Sequence, residues 1–308
     1  MTKLKCPWYI VSHKEVEAMN IVSIYKIFPT EADCISHLEK VRWHGNPQCV
    51  YCQSSNTTPM PKENRYHCNN CNTTFSVTVG TIFHHTHLPL QKWFLAVALI
   101  LNAKKGMAAR QLARDLEVNK DTAWRIGMRV RQAMTQQTQR ELLTGIVEMD
   151  ETYIGGKPRK GGGNGESNKR GRGTKKTPVV GMAERDGKIR AKAVKKEKLN
   201  VKSLSALVRE NIDIKNAILI TDEYKGYMGI KYFMPHEVVN HTEWYVNGNA
   251  HTNTIESFWA LLKRGIVGQY HKVSLRYLPK YIDEFCYRQN NRKKEDLFGL
   301  TLQRAVGV

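Results

Sequence analysis

The chain has 308 residues, which is enough for a sizeable hydrophobic core and for two or three domains. It carries 48 lysines and arginines against 28 aspartates and glutamates, and the formal net charge of +20 indicates a polyanionic partner, most simply nucleic acid. The longest apolar run, Trp93 to Leu101, is too short to span a bilayer, and the amino-terminal segment lacks the apolar core of a signal peptide. We therefore expect an intracellular protein without a membrane partner, in which the seven cysteines favour a metal site over disulfides.

Four cysteines in the first region, residues 1–85, have the spacing of a zinc ligand set. Cys49 and Cys52 lie in CVYC, and after fifteen residues Cys68 and Cys71 lie in CNNC. This spacing predicts a zinc ribbon at about residues 45–78, with a structural role because four sulfurs leave no open coordination position. The side chains predicted to form a small apolar skirt around the metal are Tyr51, Tyr66 and Phe75. The alternative is a set of four ordinary buried cysteines.

The middle region, residues 86–142, has the hydrophobic periodicity of three helices. The segments are LPLQKWFLAVALILNA, which begins near Pro89, AARQLARDLEV and NKDTAWRIGMRVRQAM. In the last segment the positions predicted to face inward are Ala123, Ile126, Val130 and Met134, and those on the opposite face are Thr122, Arg125 and Arg129, with Lys120 where the helix begins. Two helices joined by a short break, with a basic outer face on the second, predict a helix-turn-helix that reads a DNA major groove. The alternative is a solvated basic face on a helical hairpin.

The last region, residues 143–308, alternates strands, loops and helices. Strands are predicted at 145–154, 178–184, 188–195, 217–221 and 237–240, and helices at 202–211 and within TNTIESFWALLKRG and SLRYLPKYIDEFCYRQNNR. This order of elements is that of an α/β ribonuclease H-like fold. The segment 157–177 is basic and rich in glycine, so we expect a mobile loop there, which either grasps DNA or serves as a solvated connector.

Three carboxylates in this region are singled out by their places in the predicted strands and helices. Asp150 lies in GIVEMDETYIGG, where strand alternation puts Glu148 and Asp150 on one face and Glu151 on the other. Asp222 ends the apolar run AILIT, and Glu256 borders the buried stripe of TIESFWALLKR. Such hard oxygen ligands suit two Mg²⁺ or Mn²⁺ ions. The alternatives are a lysine partner for Asp150, a turn begun by Asp222, and a capping box in which Glu256 pairs with Asn253 as N-cap.

Several motifs together carry a family resemblance. They are CVYC, CNNC, FSVTVGTIFHHTHLPLQKWFLA, EMDETYIGGK, ITDEYKGY and HTNTIESFWALLKRGIVGQYH. Together they resemble bacterial insertion-sequence transposases of the ISXO-like group, which are DDE enzymes with an N-terminal zinc ribbon and a ribonuclease H-like catalytic domain. The resemblance runs from about Phe28 to Arg292.

The resemblance implies roles for particular residues. Asp150, Asp222 and Glu256 correspond to the family's metal-binding catalytic acids, and His251 and Asn253 would lie near them. The side chains expected to contact DNA are Lys120, Thr122, Arg125, Arg129, Lys263 and Arg264. The expected architecture is therefore an N-terminal region with a zinc ribbon (1–85), a helical DNA-binding region (86–142) and a ribonuclease H-like catalytic domain (143–308).

The implied activity is DNA transposition. Such an enzyme binds terminal inverted repeats, hydrolyses phosphodiester bonds at the element ends with Mg²⁺ or Mn²⁺, and joins the freed 3′-hydroxyls to target DNA. Its partners would be double-stranded DNA and at least one further copy of the chain. It would be located in the cytoplasm of a bacterial host, associated with the nucleoid. Two alternatives remain open, a non-catalytic DNA-binding regulator and a metal-dependent nuclease without strand transfer.

Overall fold

The computed structural model describes residue 19 and residues 21–135, 141–155, 174, 176–239 and 251–307. The predicted basic loop at 157–177 lies almost wholly outside the described residues. The chain divides into two compact units, residues 1–102 with 293–308 and residues 103–292. Within the described ranges no helix is long and apolar enough to cross a membrane.

Helices predominate at both ends of the described chain, and most strands lie between them. In chain order the elements are α1 (Ile21–Ile27), α2 (Glu31–Trp43), β1 (Thr57–Met60), β2 (Arg65–Cys68), β3 (Thr73–Phe75), α3 (Leu90–Asn102), α4 (Ala109–Leu116), α5 (Lys120–Met134), β4 (Leu143–Ile154), β5 (Thr177–Glu184), β6 (Ile189–Ala193), α6 (Val201–Asn211), β7 (Ile212–Thr221), β8 (His236–Val238), α7 (Asn253–Arg264), α8 (Leu278–Asn290) and α9 (Leu297–Val306). The predicted strands and helices of the last region all exist, whereas α1, α2 and α9 were not predicted. The compact units divide the predicted helical region 86–142 after Asn102, so α3 lies in the first unit while α4 and α5 lie in the second.

The first unit joins the three-stranded antiparallel sheet β1-β2-β3 to helices α1, α2, α3 and α9. Phe28 packs edge-on against Phe94 of α3, at 4.9 Å between ring centroids, and Phe298 of α9 lies 5.8 Å from Phe94. Helix α2 begins with a capping box, in which the hydroxyl of Thr30 accepts from the N–H of Asp33 and the Asp33 carboxylate accepts from the N–H of Thr30. Aromatic contacts therefore hold segments from both ends of the chain in one core.

The apolar skirt of the ribbon differs from the predicted one. Tyr66 and Phe75 pack together as expected, but Tyr51 is 60% exposed and its predicted role is wrong. Trp43, at the end of α2, takes that place, with its ring 5.4 Å from Tyr66 and 5.8 Å from Phe75. Tyr51 lies in the turn between Cys49 and Cys52, whose sulfur atoms face the cluster, while its own side chain faces solvent.

The second unit contains a five-stranded sheet of order β6-β5-β4-β7-β8. Strand β5 is antiparallel to β4 and β6, while β4, β7 and β8 are parallel. This order and these directions are those of the predicted ribonuclease H-like fold. Odd positions of β4, such as Val147 and Met149, pack with α6 on one face, and Ile154 packs with α7 and α8 on the other, so the predicted alternation is confirmed.

Helices α4 and α5 form a helix-turn-helix joined by three residues. The side chain of Asn119 caps α5 by accepting from the N–H of Thr122 at 2.7 Å. All four side chains predicted to face inward are buried: Ala123, Ile126, Val130 and Met134. The carboxyl-terminal half of α5 also buries Arg131, whose Nε donates to the carboxylate of Glu284 in α8 at 2.6 Å. This buried ion pair, which the sequence did not reveal, fixes α5 to the unit that contains the sheet.

Candidate metal centres

The sulfur atoms of Cys49, Cys52, Cys68 and Cys71 all lie within 4.8 Å of one another. Two matching turns bring them there. The N–H of Gln53 donates to the carbonyl of Cys49, and the N–H of Asn72 donates to the carbonyl of Cys68. Gln53 and Asn72 both adopt left-handed backbone with φ of 61° and 56°, so each C-x₂-C pair closes in the same way. Four converging sulfurs fit a tetrahedral structural zinc ion.

The acidic site follows from the pairing of two central strands. Strands β4 and β7 are parallel neighbours, and Met149 stands opposite Thr221. Asp150 and Asp222, each one residue further along, therefore lie side by side at the carboxyl edge of the sheet, where ligands of open α/β sheets gather. Carboxylate oxygens of Asp150, Asp222 and Glu151 all lie within 4.8 Å of one another. We call these three residues the acid cluster.

Each member of the acid cluster is held by a hydrogen-bond donor. The indole N–H of Trp259 in α7 donates to Asp150 Oδ2 at 3.0 Å. The hydroxyl of Tyr227 donates to Glu151 Oε2 at 2.7 Å, and the N–H of Tyr224 donates to Asp222 Oδ1 at 3.1 Å. The turn begun by Asp222, which the sequence offered as an alternative to a metal role, is therefore present, and it orients this carboxylate.

A glycine leaves room for the contact between Trp259 of α7 and Asp150. Gly181 of β5 stands opposite Asp150, and a Cβ atom there would lie 2.5 Å from the ring of Trp259. Any larger residue would displace the indole from Asp150. The sheet and the helix thus approach closely at the site itself.

Burial raises the pKa of Asp150 to about 7, and the negative charges of Glu151 and Asp222 act in the same direction. The pKa of Tyr227 is also raised well above its usual value, by burial and by Glu151, so its hydroxyl remains a donor. Three carboxylates packed this closely repel one another unless a cation or a proton neutralises them. The hard oxygen donors therefore fit Mg²⁺ or Mn²⁺.

Glu256 lies outside the acid cluster. It is exposed in the first turn of α7, where its Oε1 accepts from the hydroxyl of Thr252 at 2.8 Å. The N-cap of α7 is Thr252, so the alternative of a capping box with Asn253 as N-cap is wrong. Because Glu256 precedes Trp259 by three residues, it lies one turn from the helix contact to Asp150. Its role as third metal ligand stays a prediction.

Glu148 is a functional candidate that the sequence left without a role. Its side chain is fully buried, and its Oε2 accepts from the backbone N–H groups of Thr254 and Ile255 at 2.7 and 3.1 Å. Arg185 Nε donates to the other oxygen at 2.8 Å. Strand alternation, which placed Glu148 on the face of Asp150, was the available signal. Its partners could not be identified from the sequence, because they lie much later in the chain.

The predicted DNA-contacting residues lie in two places. Lys120 and Arg125 are exposed on α5, with Thr122 and Arg129 half-buried beside them, and Lys263 and Arg264 are exposed at the end of α7. Lys263 also lines a cavity of about 250 Å³ beyond the end of β4, together with Lys176 and Lys272. Contact of these residues with DNA stays a prediction.

The comparisons with known proteins assign the family. The family model of the ISXO2-like transposase domain matches residues 142–290, and that of the transposase zinc-ribbon domain matches residues 29–74. Both descriptions define a class, the zinc-ribbon transposases of insertion sequences. A relative from Halobacterium salinarum, described as an uncharacterized protein in transposable element ISH50, is 30% identical over 283 residues, which cover 87% of this chain and 94% of the relative. The chain belongs to the ISXO2-like transposase family. That relative is archaeal, and the bacterial host implied by the resemblance stays a prediction.

Solved structures of another transposase show only a weak likeness. The Mos1 strand transfer complex is 16% identical, covers 69% of this chain and 74% of its own, and has a TM-score of 0.29. The Mos1 paired-end complex with left transposon end is also 16% identical, with 69% and 78% covered and a TM-score of 0.28. At these values the likeness carries no argument about this chain.

Proposed function

We propose that this protein is a DNA transposase that binds terminal inverted repeats, hydrolyses the phosphodiester bonds at the element ends and joins the freed 3′-hydroxyls to target DNA. The observation that supports this most is the acid cluster at the carboxyl edge of β4 and β7, in a chain of the ISXO2-like transposase family. Asp150 and Asp222 are the aspartates that the sequence motifs predicted.

In this proposal Asp150 and Asp222 hold Mg²⁺ or Mn²⁺, with Glu256 or Glu151 as the third acid. A metal ion held there would supply activation of water or of a 3′-hydroxyl and stabilisation of the leaving oxygen of the phosphodiester. The indole of Trp259 donates to Oδ2 of Asp150 and so orients this carboxylate. Tyr227 orients Glu151 in the same way, so the carboxylates are fixed before a metal arrives.

The helix-turn-helix and the zinc ribbon would bind the element ends. The amino-terminal half of α5 presents Lys120, Thr122 and Arg125, and arginine can contact a guanine edge through two hydrogen bonds. Lys263 and Arg264 would contact the DNA backbone close to the acids. Because two ends must be joined in one event, we propose at least a homodimer in the complex with DNA.

The catalytic part is tested with purified protein, Mg²⁺, pre-cleaved end DNA and a plasmid target. We expect joined product with the wild type and none with Asp222→Asn, since that change removes a metal ligand. Cleavage of uncut ends without joining would favour the nuclease. End binding without either product would favour the non-catalytic regulator.

The DNA-binding part is tested by Arg125→Ala, with Lys202→Ala on the solvent-exposed face of α6 as the matched loss of one positive charge. We expect Arg125→Ala to weaken binding to the element end by about tenfold, because one bidentate base contact contributes about 1–3 kcal/mol. Lys202→Ala should leave it within twofold, as measured by fluorescence anisotropy at fixed salt. Equal effects of the two variants would contradict the assignment of α5 as recognition helix.

A further inference from the structure

We propose that Glu148 is a positioning residue that fixes the first turn of α7, and through it Glu256, relative to Asp150. The proposal rests on the proposed function for its catalytic consequence. Its structural part, the attachment of α7 to the central strand, stands on the geometry of buried hydrogen bonds alone.

The carboxylate of Glu148 replaces a conventional helix cap. The N-cap residue Thr252 makes no side-chain capping bond to the backbone of α7. The N–H groups of Thr254 and Ile255, in the first turn, donate instead to Glu148 Oε2 at 2.7 and 3.1 Å. A carboxylate at this end is also favoured by the helix dipole. The central strand therefore supplies the cap for α7.

A second group of bonds holds the segment that enters the helix. Glu148 Oε1 accepts from the hydroxyl of Thr254 at 3.0 Å and from Arg185 Nε at 2.8 Å. The same guanidinium donates to the carbonyl of His251 at 2.9 Å. The ring nitrogen Nδ1 of His251 lies 3.3 Å from Glu148 Oε1. Glu148 and Arg185 together thus define where α7 begins.

The consequence for the site follows from two attachment points on one strand face. Glu148 and Asp150 are two residues apart on β4 and both face α7. Glu148 binds the helix at residues 254 and 255, and Asp150 binds it at Trp259. Glu256 lies between these two points. Its distance from Asp150 is therefore set by both contacts, and loss of the Glu148 contact leaves one attachment about which the first turn can move.

The competing explanation is that Glu148 contributes only stability, as any buried ion pair partner does. The same unit contains a matched carboxylate for this comparison. Glu284 is also fully buried and pairs with two arginines, Arg131 and Arg288, each at 2.6 Å. Within the described residues, Glu284 makes no bond to the first turn of α7. Its loss should lower stability without moving Glu256.

The test compares Glu148→Gln with Glu284→Gln in the full-length protein. We expect Glu148→Gln to speed amide hydrogen exchange in residues 253–260 by about tenfold, because the cap of that turn is lost. We also expect it to weaken Mn²⁺ binding, measured by calorimetry, by about tenfold, as loss of a support behind metal ligands does. Glu284→Gln should change neither quantity by more than twofold, although it should lower the melting temperature.

Several outcomes would overturn the proposal. It fails if Glu148→Gln leaves exchange in α7 and Mn²⁺ affinity unchanged, or if Glu284→Gln shifts both equally. If Glu148→Gln does not fold, Arg185→Gln provides the second variant, because it keeps the carboxylate of Glu148 but removes the guanidinium that binds both Glu148 and His251. We expect the same effects at reduced size. Unchanged exchange in that variant would likewise reject the proposal.

Failure of the proposed function would be distinguishable. If the wild type binds Mn²⁺ but joins no DNA, the transposase activity is wrong while the exchange and Mn²⁺ results still decide the role of Glu148. If the wild type joins DNA and Glu148→Gln lowers the rate of joining only because less of the protein is folded, the positioning role is wrong and the proposed function stands.

Discussion

The cysteine quartet of the ribbon and the acid cluster of the sheet both gather their ligand atoms within 4.8 Å, yet they are built in opposite ways. The four cysteines come from two adjacent turns of one small module, and each turn is closed by its own backbone hydrogen bond. The acids come from two strands that are separated in the chain by β5, β6 and α6. A local site can be recognised from spacing, whereas a tertiary site depends on strand register.

The two sites also differ in what they leave open. Four sulfurs complete a tetrahedron, so a bound zinc ion has no position for a substrate. The acid cluster offers carboxylate oxygens at a sheet edge, and a hexacoordinate Mg²⁺ would keep positions for water and phosphate. The first arrangement suits folding and the second suits chemistry. Substitutions at the two sites should therefore have different consequences.

The largest effect should come from Asp150→Asn. We expect DNA cleavage to fall by about 10³-fold, because losing a ligand to a catalytic metal costs several kcal/mol of transition-state stabilisation. End binding should stay within a few fold, since the recognition helix is not altered. The measurement is a single-turnover cleavage assay beside an anisotropy titration. A comparable loss of binding would show that the acid cluster, like the cysteines, has a structural role.

Cys68→Ser tests the other side of the comparison. We expect zinc affinity to fall by about 10²-fold and the ribbon to unfold, because the metal supplies much of the folding free energy of such a module. Zinc content by mass spectrometry and the exchange rates of β1 to β3 report this. The sheet of the second unit should keep its exchange protection. Retained stoichiometric zinc would contradict the quartet as the binding site.

A smaller and more discriminating effect separates Glu256 from Glu151 as the third acid. The family resemblance assigns Glu256, while Glu151 is the residue found in the acid cluster. We expect Glu256→Gln to lower cleavage by about 50-fold and Glu151→Gln by less than tenfold. The two isosteric variants control for each other in the same assay. The reverse order would assign the third ligand to Glu151 and leave Glu256 with no catalytic role.

The smallest effect is a pH dependence. The pKa of Asp150 in the folded, metal-free protein is about 7, above that of an unfolded aspartate, so its contribution to stability is fully present below about pH 4 and is lost as pH rises through 7. Mg²⁺ competes with that proton, and its binding should tighten by up to about tenfold between pH 6 and 7.

Calorimetric titration with Mg²⁺ at several pH values measures the binding, and unfolding of the metal-free protein at the same pH values measures the stability. Asp150→Asn should remove the loss of metal-free stability toward pH 7, because no carboxylate remains to ionise at that position. A stability profile that is the same in wild type and variant would contradict the proposed burial of Asp150. The cysteine variant Cys68→Ser serves as control, since Asp150 should titrate in it as in the wild type.

Much of the fold was predictable because its signals are local. The spacing of CVYC and CNNC identified the ribbon, and apolar periodicity located α3, α5 and the strands of the sheet. Helix α2 was not predicted, although Thr30 and Asp33 form a capping box whose residues are visible in the sequence. Asp150 and Asp222 were singled out by their places in the strand pattern, and the family motifs then gave them a role. Their proximity required the register of Met149 with Thr221, which no local pattern fixes.

The contacts that could not be predicted join residues far apart in the chain. Arg131 reads as one more basic residue on a basic helix, and only the fold shows that it is buried against Glu284. Glu148 likewise reads as an isolated acid in an apolar strand, because its partners Arg185 and Thr254 belong to other elements. Buried polar groups are nearly always hydrogen-bonded or paired, so such a residue indicates that it has a partner, but the sequence does not identify that partner.

The ion pair between Arg131 and Glu284 has a consequence for the spacing between the DNA sequence that α5 would bind and the bond that would be cut. The guanidinium is enclosed by the rings of Tyr270 and Tyr281 as well as by the carboxylate, so α5 cannot swing independently of α8. If α5 reads the terminal repeat, the sequence it reads and the bond that is cut are held at a fixed number of base pairs. The protein would then act as a ruler, and an inserted base pair between the two would misplace the scissile phosphate.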